Sequence, residues 1–302
     1  VPVPADNPPT KETIVLGKAL FFSKHLSKDG SQSCSSCHDP AHGFADPNQF
    51  SKGITGKTGN RNAPPVLNAA YHPVQFWDGR APSLEEQAKG PIQNPIEMAH
   101  TADGAVQSVA ADPVLAPLFK AAFGDERVTL ERMARAIAAY ERTIVNGNSP
   151  VDRFLFGGDQ QALSDAARRG LEVFRDPAKG NCATCHVIGK DNALFTDGKF
   201  HNLGVGMTPE GELPDPGRFE VTKREADRGA FRTPTLRNIA LTAPYMHDGS
   251  LKTLKDVVDF YIGGGNANPQ RDPLLKPLTH LTRQERADLV AFLEALTGEI
   301  PQ

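Results

Sequence analysis

All four cysteines of this 302-residue chain fall in two copies of one pentapeptide, CSSCH at residues 34–38 and CATCH at 182–186. Cys-x-x-Cys-His is the attachment signature of c-type haem. Both thiols add to the haem vinyls as thioethers, and the adjoining imidazole ligates the iron. A Cys-x-x-Cys pair also serves as a redox disulfide or as half of a zinc site. Two such pairs, each followed at once by His with no cysteine left over, fit haem better than either. Covalent staples are not needed for stability at this length, which can bury a large core. The residues point to two covalent c-type haems, one on Cys34, Cys37 and His38, the other on Cys182, Cys185 and His186.

The motifs lie in opposite halves of the chain, and the length suits two domains of roughly 150 residues. A hydrophobic share of 39% and a formal net charge of -3 give no basis for binding nucleic acid or an anionic membrane surface. No apolar run approaches the roughly 20 residues that span a bilayer. The opening VPVPADNPPT has neither the basic stretch nor the apolar run of a signal peptide. Because haem is usually attached outside the bacterial cytoplasm, a periplasmic protein with its export signal removed is expected.

Helical periodicity frames each motif. Residues 10–22 place Ile14, Leu16, Leu20 and Phe21 on a helical period after a possible Thr10 cap. Residues 163–174 repeat the plan with Ser164 as cap shortly before Cys182. Residues 281–299 open with Thr282 and Glu285 in capping-box spacing and then set Leu289, Phe292, Leu293 and Leu296 on one face. Helix, CxxCH and closing helix is the plan of a cytochrome c domain. A further helix at 129–145 ends at NGNSP, a turn-rich stretch that places a domain boundary near 148. Alternating strand patterns are scarce. The expected fold is all-α, mainly helical with long ordered loops, in two cytochrome c-like domains over 1–148 and 149–302.

Two haems alone could make an electron-transfer cytochrome. An enzyme needs an open sixth position on one iron with an acid-base group beside it. The stretches RNAPPVLNAAY (61–71), FWDGRAPSLEEQAKGPIQNPIEM (76–98) and TPTLRNIALTAPYMHDGS (233–250), with the two motifs, resemble the bacterial di-haem cytochrome c peroxidase and MauG superfamily from about residue 10 to the end. The resemblance makes the N-terminal haem, on His38, the site of peroxide chemistry. It makes Glu97 the distal acid-base carboxylate, with Gln87 and Pro91 lining the same pocket. A carboxylate there can move a peroxide proton from the inner to the outer oxygen; read without the family, Glu97 is an ordinary surface acid. Trp77, the single tryptophan, matches a residue between the haems, though it also reads as a core aromatic. Asn62, Thr242 and Pro244 match the oxygen ligands of a family calcium ion. His247 reads better as a structural hydrogen-bonding residue than as a ligand.

Two positions depart from the peroxidase pattern. Where many family members carry a second His that blocks the resting N-terminal haem, sixteen residues beyond the proximal one, this chain has Ile54. Isoleucine cannot ligate iron, so that haem is open, or His42 or His72 substitutes. Where a Met usually ligates the second haem, fourteen residues after His247, this chain has Tyr261. Met207 and Met246 are rival ligands, and without the family Tyr261 reads as a buried aromatic. Ile54 and Tyr261 together resemble the MauG branch. The implied activity is hydrogen-peroxide-driven formation of high-valent haem and long-range oxidation of Trp or Tyr in a protein partner. At Gly180, however, MauG has a Trp that draws electrons from its partner. The alternatives are a peroxidase fed by a small cytochrome c or a cupredoxin, and a non-catalytic electron-transfer cytochrome.

Overall fold

The computed structural model describes residues 1–300. Among them are ten α-helices: α1 Lys11–Phe22, α2 Leu84–Gln93, α3 Ala102–Ala110, α4 Leu115–Phe123, α5 Leu130–Glu141, α6 Pro150–Leu155, α7 Asp165–Arg175, α8 Phe219–Thr222, α9 Leu254–Gly263 and α10 Arg283–Glu294. The strands β1 Phe200–Asn202 and β2 Ala230–Arg232 form one short antiparallel pair, with Phe200 opposite Arg232. The rest is loop and single 3-10 turns, so the class is mainly α, as the sequence implies.

Local chemistry sets the helix starts. Thr10 accepts the Thr13 N–H ahead of α1, Ser164 accepts that of Ala167 ahead of α7, and Thr282 and Glu285 cap each other's backbone at the start of α10. Two helices stop short of their periodic pattern. α5 ends at Glu141 because the Thr143 N–H turns back to the Tyr140 carbonyl, closing a tighter turn. α10 ends at Glu294, although Leu296 beyond it is fully buried.

The chain divides into two compact units. The first comprises 1–76 and 81–145, and the second comprises 77–80 and 146–300. Segment 77–80 is tied to the second unit from its backbone outward. The Trp77 carbonyl accepts the Arg232 N–H at 2.9 Å, and the Arg218 guanidinium donates to the carbonyls of Asp78 and Gly79 at 2.8 and 2.9 Å.

Each unit has one dominant helix crossing, α1 on α5 in the first and α7 on α10 in the second. Both crossings pivot on a glycine. A Cβ at Gly17 would run into the Ala136 carbonyl and the Tyr140 side chain, and one at Gly170 would run into the Asp288 carbonyl and the Phe292 side chain. The backbones therefore touch where only a hydrogen fits. This shared geometry aligns Tyr140 with Phe292, and the next residue, Glu141, with Leu293. Around the second crossing lie the fully buried Phe174, Phe195 and Phe292. Asp288 is held there by both nitrogens of a bidentate Arg169 at 2.8 Å.

Gly170→Val should force α7 away from α10 and destabilise the second unit by about 1–3 kcal/mol or more, read as a lower thermal midpoint in circular dichroism. An unchanged midpoint would mean that the crossing tolerates a side chain.

Candidate haem sites

Both pentapeptides form the same turn. Cys34 opens a 3-10 turn whose first carbonyl accepts the N–H of Cys37 at 3.2 Å and of His38 at 3.0 Å. The Cys182 carbonyl does the same for Cys185 at 3.2 Å and His186 at 2.9 Å. This turn carries both thiols of a motif, with the imidazole immediately after.

Each imidazole is then oriented by a phenylalanine carbonyl. His38 Nδ1 lies 3.3 Å from the Phe44 carbonyl, and His186 Nδ1 lies 2.8 Å from that of Phe195. A carbonyl can only accept, so Nδ1 carries the proton and the Nε2 lone pair is left for a metal. Phe44 and Phe195 both adopt left-handed backbone, with φ of 57° and 54°, an unusual conformation for a bulky residue. Burial lowers the pKa of both histidines, which keeps the imidazoles neutral, as ligation requires.

The thiols are not poised for thiolate chemistry. Burial raises Cys34, pushes Cys37 up to about 11 and pushes Cys182 up to about 12. Reactive or zinc-binding cysteines need the opposite environment, whereas thioether formation consumes the thiol. In the second unit Arg232 is 4% exposed and its Nε has no hydrogen-bond partner. Burial, with no acid to offset it, pulls its pKa down to about 10. A buried guanidinium without a counter-charge fits the propionate of a bound haem. Neutral proximal imidazoles, paired cysteines on one turn and an orphan cation all suit c-type haem.

A second cluster lies beside the second motif. Cys185, Asp197 and His201 bring ligand-type atoms within 4.8 Å of one another. Once the Cys185 sulfur is a thioether, this is no thiolate metal site. His201 remains clamped by Asp272 at 2.5 Å and Asp197 at 2.9 Å. With Cys185 as a free thiol, that sulfur and then those two carboxylates push His201 up to about 10 against the opposing pull of burial; once the thioether forms, only the carboxylates favour the charged imidazole.

Above the first motif, Glu97 is half-buried and is close enough for its charge to act on Cys37. Its Oε1 accepts the Asn94 side-chain N–H at 2.6 Å, and its carbonyl accepts the Ile54 N–H at 2.8 Å. Gln87 and Pro91 lie one helical turn apart on α2 and so share a face. Ile54 is buried at 8% exposure. His42 is exposed and bonded to Asp39 at 2.9 Å; His72 lies in the loop after residues 69–71.

In the second unit Tyr261 lies on α9, its phenol near enough to Cys182 and Cys185 for both sulfurs to act on it, and burial raises its pKa. Met246 occupies a left-handed turn position with φ of 71°, and Met207 follows the Gly204 turn. Trp77 is buried, and His247 is buried in a stack on Phe231 with ring centroids 3.5 Å apart. Asn62 belongs to the first unit, where its amide donates to the Asn48 carbonyl at 2.9 Å. Thr242 and Pro244 belong to the second. A Cβ at Gly180 would lie 2.5 Å from the Val173 carbonyl, so a larger residue there would require the backbone to shift.

Residues 68–93 and 238–263 repeat one another more closely than the sequence suggested. Asn68 and Asn238, Phe76 and Met246, and Gly79 and Gly249 all take left-handed backbone in the same order. Ser83 and Thr253 then cap α2 and α9. Counting twelve residues from each glycine gives Pro91 in the first copy and Tyr261 in the second. Pro91, which the resemblance assigns to the distal pocket, and Tyr261, the candidate ligand, therefore occupy the same helix position.

Two mainly helical units, each with a c-type haem turn, define a di-haem c-type cytochrome. A family model described as di-haem cytochrome c peroxidase matches residues 11–161, and one described as cytochrome c matches 167–297. The chain is 42% identical to "Methylamine utilization protein MauG" of Methylorubrum extorquens over 99% of its length and 82% of that protein's. It is 39% identical to "Cytochrome-c peroxidase IdrP1" of Pseudomonas sp. strain SCT over 100% of its length and 85% of the other. The crystal structure of a MauG-like protein associated with microbial copper homeostasis matches with a TM-score of 0.88 at 35% identity, covering 99% and 94% of the two chains. The chain belongs to the di-haem cytochrome c peroxidase and MauG family and is a peroxide-dependent di-haem oxidoreductase. Its cofactors are two c-type haems, and the family implies hydrogen peroxide and a protein partner.

Replacing both Cys182 and Cys185 by Ala should lower bound covalent haem from two per chain to one, read by pyridine haemochrome assay. Retention of two would reject the assignment of the second motif.

Proposed function

We propose that this protein uses hydrogen peroxide to oxidise Trp or Tyr side chains of a protein partner at a distance, in the manner of the MauG branch. The observation that carries the reading is Tyr261. It stands where the peroxidase pattern has Met, with its phenol at the second haem motif. When bound, the haems supply peroxide cleavage and storage of its two oxidising equivalents. Were Tyr261 to hold the second iron as a phenolate, it would favour the oxidised states there and make that haem a poor entry point for electrons. Ile54 supports the same reading, because an apolar side chain beside the Glu97 backbone offers no ligand to block the first iron.

Glu97 is the residue proposed to move the proton. Asn94 donates to one of its oxygens and so orients the carboxylate for proton exchange with peroxide, and Gln87 and Pro91 are proposed to line the same pocket. Trp77, buried and with its backbone anchored by Arg232, is proposed as the aromatic that carries oxidising equivalents. Calcium at Asn62, Thr242 and Pro244 rests on the resemblance, as does a periplasmic location; no helix among the described residues is long and apolar enough to cross a membrane.

The competing reading is reduction of peroxide to water with electrons from a small cytochrome c or a cupredoxin, and relatives bear both names. Stoichiometric peroxide added to the diferric protein separates the two in visible and near-infrared spectra. Immediate formation of a long-lived, two-electron oxidised form of the protein is expected. Reaction only after one haem has been reduced, followed by turnover with a reduced cytochrome, would establish the peroxidase instead. Glu97→Gln should retain both haems and slow peroxide consumption by about 10²–10⁴-fold. Tyr261→Phe should change the spectrum of the second haem and shorten the life of the oxidised form, and an unchanged spectrum would remove Tyr261 as ligand.

A further inference from the structure

Glu141 ends α5, is 5% exposed, and has a buried Oε2 with no hydrogen-bond partner. A carboxylate there has lost its water and sits at the negative end of the helix dipole, and both effects disfavour the charged form. Burial accordingly pushes the Glu141 carboxyl up to about 8.

The charges around it do not neutralise it. Arg142 attracts it, but that guanidinium is engaged with both oxygens of Glu85 on α2, at 2.7 and 3.2 Å, and Glu85 repels Glu141 in turn. Lys89 of α2 is paired with Glu86 and with Glu131 in the first turn of α5, at its opposite end. The causes that act on it are burial first, then the attraction of Arg142 and the repulsion of Glu85. Its titratable neighbours are Tyr140 and the Cys34 thiol, both of which feel its charge. Glu141 therefore lies beside the first haem attachment.

Nothing in the architecture demands an acid here. At the corresponding helix crossing of the second unit the position is held by Leu293, buried at 7% exposure. One haem turn has an orphan carboxyl beside it, and the other has a methyl-bearing side chain.

We propose that Glu141 is the proton-binding partner of redox change at the N-terminal haem, taking up one proton from solvent when that haem gains one electron and returning it when the electron leaves. Reduction removes one positive charge from the haem iron, so a nearby carboxylate loses an attraction and binds a proton more tightly. The Glu141 pKa is then higher with ferrous than with ferric haem, and between the two values the midpoint potential falls as pH rises. The inference rests on haem attachment at Cys34 and does not depend on which reaction the protein performs.

Spectroelectrochemical titration of the intact di-haem protein across neutral pH tests it, with Glu141→Gln as the isosteric variant. In the wild type the N-terminal haem should lose potential with rising pH, approaching at most about 59 mV per tenfold change in proton concentration, the one-electron limit. In Glu141→Gln this slope should be lost, with the potential held near the wild-type low-pH value, while the slope of the C-terminal haem stays unchanged. Glu141→Leu, which carries the residue type the second unit uses, serves if the amide variant fails to load haem, and its slope should also be flat. A slope that survives in the variant, or one that changes equally at both haems, would overturn the proposal.

Discussion

The bond from each proximal imidazole to a phenylalanine carbonyl is the interaction on which the rest of the structure depends. The carbonyl fixes which nitrogen carries the proton, and so which nitrogen faces the iron. To present that carbonyl, Phe44 and Phe195 must each take a left-handed backbone that costs energy. Aromatic packing offsets the cost. Phe195 is fully buried against Phe174 and Phe292, and Phe44 packs against Phe21. The helix crossings thus hold the loops that hold the histidines, and the glycines at Gly17 and Gly170 allow those crossings to be close enough.

The two units share this plan but differ in the side chains placed on it. The shared parts are backbone features: the 3-10 turn of the pentapeptide, the left-handed Asn, the capped helix on the distal side. Divergence is confined to a few side chains placed on equivalent backbone. Pro91 and Tyr261 occupy one position, Trp77 and His247 another, and Glu141 and Leu293 a third. At these positions the first unit has a proline, which lacks an N–H, and nearby a hydrogen-bonded carboxylate, Glu97; the second has a phenol. The side chains differ while the backbone scaffold is kept.

Much of this was legible in the chain because it is written in local chemistry. The pentapeptides, the Ser and Thr caps and the apolar periods of α1, α7 and α10 each depend on residues within one or two turns. Tyr261 and Ile54 could be singled out only by counting from a motif. What escaped has a physical reason in each case. A carbonyl ligand has no residue-type signature, and the Phe lies six residues after His38 but nine after His186, so no fixed spacing marks it. Arg232 has no signature in the sequence, because its lack of a counter-charge is a property of the folded interior. Glu141 carries no signature in the sequence, since its burial depends on the folded crossing. The 129–145 pattern continued past the real end of α5, since apolar periodicity records burial and not the hydrogen bonds that end a helix.

The anchoring of residues 77–80 by Arg218 and Arg232 has a consequence for how such a chain is made. A ribosome delivers these four residues about 140 positions before their hydrogen-bonding partners, counted from Asp78 to Arg218. Until then the tryptophan and the buried aspartate beside it have no native environment, even though the sequence on both sides belongs to a unit already synthesised. The second half is therefore completed by a short loan from the first. Because residues 81–145 of the first unit separate this segment from the rest of the second, no single cut in the polypeptide divides the two units.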